Sequence, residues 1–219
     1  MSSSTSTDVL IIGAGGHGTV VLDILRTAGV YRAIGFIDAD PALIGTRIDG
    51  VPVLGHLNAL PKLKKQVKRA IVAIGDNRAR RTTAAKVVAA GFELINAIHP
   101  SAVVSKTAVL GRNIVLAAGV IVGTSARIGD SALINTGATI DHECEIAEGA
   151  HIGPGARLAG RVQIGAAAFV GIGAVIIQCL RIGEEATIGA GAVVLRDVPD
   201  RITVVGVPAR ALMRKPLAA

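Results

Sequence analysis

The chain has 219 residues, 51% of them hydrophobic, yet aromatics make up only 2% and there is no Trp; this excludes an ordinary globular core and points to thin, repetitive layers of Val, Ile, Leu, Ala and Gly. No apolar run approaches the ~18 residues of a membrane helix, and two cysteines, Cys144 and Cys179, cannot frame a disulfide scaffold. The net charge of +7 is mostly scattered, and the densest run, Lys62 to Arg69, lacks the aromatics that stack on bases. It reads as a solvated helix face, and the positive balance as attraction for small anionic substrates rather than nucleic acid.

In chain order, residues 1–7 are polar Ser/Thr without the basic and apolar stretches of a secretory signal. They read as a disordered lead-in, and with cysteines suited to a reducing compartment they point to the cytoplasm. Residues 8–98 read as a β/α domain. Asp8 to Ile12 is a buried strand, Gly13 to Gly18 a glycine loop, Thr19 to Ala28 a helix, and Ala33 to Ile37 a strand ending at Asp38. Arg69 to Ile74 is a further strand, and Asn77 to Ala90 a helix ended by Gly91. Alternating strands and helices imply a small parallel sheet. The loop fits G-x-G-x-x-G, with Asp38 twenty residues beyond Gly18. The domain, however, is about half a dinucleotide fold, and no second domain is available for a nicotinamide. Backbone N–H groups at a helix N-terminus hold phosphate in general, so a nucleotide-sugar diphosphate satisfies the loop as well as NAD does.

Residues 99–195 carry a strict six-residue period. From Val104 to Val194 every sixth residue is aliphatic, and the residue two before each is apolar and mostly small. The residue after each aliphatic is often Gly, as in Gly111, Gly123 and Gly129, which reads as a turn requirement. A helix cannot use a period of six, whereas short strands at tight corners can, so the pattern predicts a hexapeptide β-helix of a little over five coils. Residues 196–219 form a tail.

Within the repeat, Asp141, His142 and Glu143 put three ionisable groups in a row. An imidazole is the natural base for acetyl transfer near neutrality, and an adjacent carboxylate fixes its tautomer. His151 follows nine residues later, half an eighteen-residue coil away, so the two rings meet only across an interface between copies. Two imidazoles within the repeat, with His99 before it, are too few ligands for zinc, and no metal is expected. Cys144 occupies an inward small-residue position and reads as core; Cys179 is off that lattice.

Taken together, the glycine loop, Phe36 to Asp38, Ala73 to Asn77, Asn135, Asp141 to Glu143, His151 and Gly206 to Arg210 resemble the sugar O- and N-acetyltransferases of the sialic-acid and bacillosamine type. The resemblance implies a left-handed parallel β-helix behind a half-Rossmann-like domain, assembled as a homotrimer with sites between subunits. It implies His142 as general base supported by Glu143, with Asn135 and Asp141 ordering the site. His151 is implied to contact acetyl-CoA, Ile172 and Ala190 to line its channel, and Arg210 to meet a CoA phosphate. Gly15, Gly16, His17, Asp38 and Gly75 are implied in the nucleotide-sugar pocket. Thr19 stands where this family often carries a basic residue. The acceptor implied is the 4-amino group of a 4-amino-4,6-dideoxy sugar on UDP. The rivals are O-acetylation of a sialic acid and a non-catalytic nucleotide-sugar-binding trimer.

Overall fold

A computed structural model describes residues 6–212; residues 1–5 of the expected lead-in and 213–219 of the expected tail lie outside the described residues. Thr7, read as part of the lead-in, instead opens the first strand and pairs with Tyr31. The N-terminal sheet comprises β1 (Thr7–Ile12), β2 (Tyr31–Ile37), β3 (Arg47–Ile48), β4 (Val51–Gly55), β5 (Arg69–Val72) and β6 (Glu93–Leu94), in the order β3–β4–β2–β1–β5–β6. All neighbours run parallel except β3 and β4. The central strand β1 is covered on both faces, which is why Val9 to Ile12 are uninterrupted aliphatics.

Three helices flank this sheet: α1 (Gly16–Ala28), α2 (Leu60–Leu63) and α3 (Asn77–Ala89). Val21, Ile24 and Leu25 of α1 pack on Val9 and Ile11, and the same cluster continues into Val115 and Leu133 of the second domain. Ala84 and Val87 of α3 cover Leu10 and Ile12 on the opposite face. The helix α1 starts at Gly16, not Thr19, because the glycine loop itself supplies the first turn. The basic run after Lys62 is not a helix face: α2 stops at Leu63, the chain turns, and Arg69 enters β5. Strand order reverses at β1, so the loops after β1 and β5 face one another across a crevice at the strands' carboxyl ends.

The second domain is a left-handed parallel β-helix with three faces. The first runs from Ala97–Ile98 to Thr187–Ile188, the second from Val103–Val104 to Val193–Val194, and the third from Val109–Leu110 to Arg181–Ile182. Neighbouring strands of a face are eighteen residues apart, as in Leu133, His151 and Phe169. The first face begins two residues earlier than the period suggested. It also extends into the expected tail, where Thr203–Val205 pairs antiparallel with Arg210–Ala211. Inward residues alternate aliphatic and small, and Cys144 is one of them, fully buried.

The repeat glycines have a different role from the one their position suggests. Gly129, directly after Ile128, does not sit at positive φ; a Cβ there would lie 2.8 Å from Glu148 N and 3.0 Å from Ile146 O in the next coil. The left-handed residue comes two positions later, and there Asn113, Ser125, Glu143, Ala167 and Cys179 are found as well as glycines. A glycine such as Gly129 therefore supplies empty space for the coil above, not conformational freedom.

Gly129→Ala is thus expected to lower the melting temperature more than Gly155→Ala, whose φ of +64° faces open space. Overpacking costs about 1–3 kcal/mol or more, against about 1–2 kcal/mol for a left-handed alanine. Thermal unfolding of the two variants decides it, and the reverse order would show that turn conformation dominates.

Candidate active site

The crevice between the loops after β1 and β5 is built on two glycines that the backbone demands. A Cβ at Gly13 would overlap Ala73 O, and one at Gly18 would overlap Gly13 O. Gly15 and Gly16, by contrast, face open space, and no side chain caps the helix they begin. The backbone N–H groups of this first turn are therefore available to an anion. Asp38 braces the loop: its Oδ2 accepts from Ala14 N–H (2.6 Å) and its Oδ1 from Asp40 N–H (2.9 Å). It also lines a mainly apolar recess of about 270 Å³ with Ile12, Ala39, Leu57, Ile74 and Thr83. Gly75 opens a neighbouring cleft of about 410 Å³, whose walls include Asn77, His151, Phe169 and Glu185. A larger concavity of about 720 Å³ along the third face holds none of the predicted residues; it is the open, charged side of the prism, lined by Arg127, Glu145, Gln163 and Arg181.

His151 projects outward from the first face. Its ring meets Phe169, one coil on, edge to face at 5.0 Å. Asn135 Oδ1 accepts from Thr136 N–H (2.8 Å), which turns its Nδ2 toward His151 Nε2 at 3.4 Å. Nε2 is then the acceptor, and the ring carries its proton on Nδ1. Burial pushes the His151 imidazole down to about 4, and the charges of Arg80 and His17 act in the same direction. His17, in the first turn of α1, also falls to about 4, chiefly by burial and then by Arg80. Its buried Nε2 has no hydrogen-bond partner among the described residues.

The ionisable run sits elsewhere, on the corner after the second face. Asp141 Oδ1 accepts from the His142 backbone N–H at 2.7 Å. Glu143 takes the left-handed corner position, φ 57°, which returns its carboxylate to the preceding ring. Its Oε2 lies 3.0 Å from His142 Nδ1, and because a carboxylate only accepts, the proton is on Nδ1 and Nε2 is a free acceptor. The same oxygen accepts from Arg161 Nε at 3.0 Å. The bonds from His142 and then Arg161 hold the Glu143 carboxyl below the usual carboxylate range. The ring stacks over Gly160, where any Cβ would overlap Nε2 and Cε1.

Within one chain the predicted residues thus form two groups. Asn135 joins His151 rather than His142, and Ile172 and Ala190 continue the same corner one and two coils beyond Pro154. Arg210 stands at the C-terminal hairpin, exposed, with one donor on Ala209 O. Phe169, Gly160 and Arg161 were not singled out by sequence, although each lies eighteen residues from a predicted residue. No group of three His, Cys, Asp or Glu among the described residues is placed to hold a metal ion, and no described helix is long and apolar enough to cross a membrane.

Comparison with known proteins agrees with this architecture. Residues 8–87 match the PglD N-terminal domain, and residues 125–160 the bacterial transferase hexapeptide (six repeats). UDP-N-acetylbacillosamine N-acetyltransferase of Bacillus subtilis is 36% identical over 114 residues, so the match spans about half of this chain and about half of that relative (51% of each). A crystal structure of a histidine-to-alanine variant of GDP-perosamine N-acetyltransferase from Caulobacter crescentus, in complex with CoA and GDP-perosamine, superposes with a TM-score of 0.91. It is 46% identical and covers 94% of this chain and 97% of that one. The acetyltransferase domain of PglB from Neisseria gonorrhoeae, in complex with acetyl coenzyme A, is 38% identical with a TM-score of 0.88, covering 94% and 100%.

The two depressed imidazoles give stability a sign with pH. In the unfolded chain they titrate near 6.5, in the folded chain near 4, so between these values the unfolded state binds more protons. Stability is expected to fall as pH drops from 6.5 to 4, by up to ~3 kcal/mol per ring. Urea unfolding across this range should show the midpoint falling, and His17→Gln with His151→Gln should flatten the slope; an unchanged slope would place the titration elsewhere.

Proposed function

We infer the activity from one premise: the chain belongs to the nucleotide-sugar N-acetyltransferases that join a PglD-type N-terminal domain to hexapeptide repeats. It transfers the acetyl group of acetyl-CoA to the 4-amino group of a nucleoside-diphosphate-linked 4-amino-4,6-dideoxy sugar. The observation that carries this reading is the His142 corner, where a carboxylate fixes the proton on Nδ1 and leaves Nε2 free to accept.

In this reading the uncapped first turn of α1 at Gly15 to His17 binds the diphosphate, and the recess beside Asp38 takes the nucleoside. The sugar amine attacks the thioester carbonyl, Nε2 of His142 takes the amine's proton, the C–S bond breaks, and the departing thiolate receives that proton from the imidazolium, which returns to the neutral ring. Glu143 stabilises the imidazolium as it forms. His151, neutral and carrying its proton on Nδ1, donates to the acetyl-CoA side of the complex, and Ile172 and Ala190 flank the same channel. Arg210 meets a CoA phosphate.

The acceptor's nucleotide has support in two directions. The B. subtilis relative is named for a UDP sugar, whereas the 46% identical relative, matched over nearly its whole length, is named for a GDP sugar. That breadth favours GDP over the UDP expected from sequence. Relatives named as N-acetyltransferases favour an amine over the hydroxyl of a sialate.

Because His142 and His151 stand at different places on one prism, the site is completed by a neighbouring copy in a homotrimer. The outward residues Val103 (62% exposed) and Ile121 (46%) of the second face support such a contact. Acetyl-CoA and nucleotide sugars are cytoplasmic metabolites, which places the reaction there.

Thiol release from acetyl-CoA is expected with a GDP- or UDP-linked 4-amino-4,6-dideoxyhexose. His142→Asn should lower kcat by about 10²–10⁴-fold with little change in KM, and Gly160→Ala should lower it by displacing the ring. Wild-type turnover in His142→Asn would remove the base assignment, and activity on CMP-sialate alone would move the chemistry to a hydroxyl. Light scattering should give three chains per particle; a monomer that turns over would remove the shared site.

A further inference from the structure

The buried polar chemistry that this mechanism leaves unused is concentrated in Arg80. The side chain is 0% exposed and lies on the buried stripe of α3 with Ala84 and Val87. Its guanidinium uses all five N–H donors. Nε donates to Ser131 O (2.8 Å), Nη1 to Ile74 O (2.9 Å) and Gly75 O (3.0 Å), and Nη2 to Asn77 Oδ1 and Gly149 O (both 2.8 Å). Every acceptor is neutral. Ser131 and Gly149 are the same corner position in consecutive coils of the β-helix, whereas Ile74 and Gly75 belong to the loop after β5. Asn77 extends the grip to a third coil, donating to Ala167 O (3.0 Å) and Ala168 O (3.1 Å).

We infer that Arg80 is a positioning residue for the transfer: it fixes the Ile74 to Asn77 loop, one wall of the cleft, against the coils that carry His151, the other wall. This rests on the acetyl-transfer reading for its consequence, not for its geometry. A buried guanidinium meeting only neutral carbonyls carries a desolvation cost, so its contribution is a single cross-domain registry rather than net stability. Lysine cannot reproduce it, having three donors at one point instead of a planar fork of five. The same positive charge bears on His17 and His151, the two rings that flank the crevice.

The test compares Arg80→Lys and Asn77→Ala with wild type, and takes Lys86→Gln as a control because Lys86 is an exposed basic residue of the same helix. In folded Arg80→Lys, kcat is expected to fall about 10- to 100-fold, with KM for the nucleotide sugar raised and KM for acetyl-CoA within about twofold. Hydrogen exchange at the Ala73 and Ala79 amides, which flank the loop and donate to Ile12 O and Asp76 Oδ1, should accelerate about tenfold in both variants and stay unchanged in Lys86→Gln. Exchange and kinetics like wild type in Arg80→Lys would overturn the inference, as would equal rises in both KM values with unaltered exchange. If wild type turns over no amino sugar, the acetyl-transfer reading fails, and the exchange measurement still decides whether Arg80 holds the loop.

Discussion

The structure depends on the direct hydrogen bonding of each coil's backbone to the next, eighteen residues on, with no room left for a Cβ at corner glycines such as Gly129. Strand spacing of about 4.8 Å then turns sequence separation into contact. Residues eighteen apart become neighbours in a column, and each corner of the prism becomes a stack of adjacent side chains. His142 over Gly160 and Glu143 beside Arg161 are products of that spacing. So are His151 against Phe169, and the carbonyls of Ser131 and Gly149 at the separation one guanidinium can span. Each corner has acquired a separate use: one bears the carboxylate-held imidazole, one bears Asn135 with Ile172 and Ala190, and one docks the N-terminal domain.

Two imidazoles in one short stretch of sequence are differentiated by their surroundings. His142 stands on an exposed corner with a carboxylate on Nδ1. His151 is packed against Phe169 with an amide on Nε2 and no carboxylate bonded to it, and burial keeps it neutral. Two like side chains are thus separated by environment rather than by residue type, the general way one fold sets apart residues of one kind.

The repeat was legible because a six-residue period has no other physical use, and the ionisable run was legible because it interrupts an uncharged pattern. What the glycines do was not legible. A glycine that supplies space and one that supplies positive φ are the same letter, and only the neighbouring coil distinguishes Gly129 from Gly155. Arg161 was within reach of the sequence, since adding eighteen to Glu143 finds it. Arg80 was harder, because α3 is polar around most of its circumference and an arginine among Arg78 and Arg81 looks solvated. Its signal was positional: Arg80, Ala84 and Val87 follow helical spacing along the one buried stripe. The lead-in and tail were misjudged at their inner ends, where Thr7 and Thr203 join sheets whose registers are set by distant strands.

Placing one imidazole at a corner and the other on a face has a consequence for how the domains must be joined. If His142 reaches the cleft from a neighbouring copy, the N-terminal domain cannot move freely on its own β-helix without losing alignment with both rings. The α1 helix wedged against Val115 and Leu133 fixes one side of that domain through apolar packing, which resists separation but tolerates sliding. Directional bonds from Val72 N–H to Asn113 Oδ1, from Arg80 to two coils and from Asn77 to a third fix the other side. Hydrogen bonds lose strength steeply when misaligned, so these set the register along the prism axis that packing leaves open. The polar bonds therefore complement the apolar packing: the packing holds the domain on, and the bonds determine which coil faces the glycine loop.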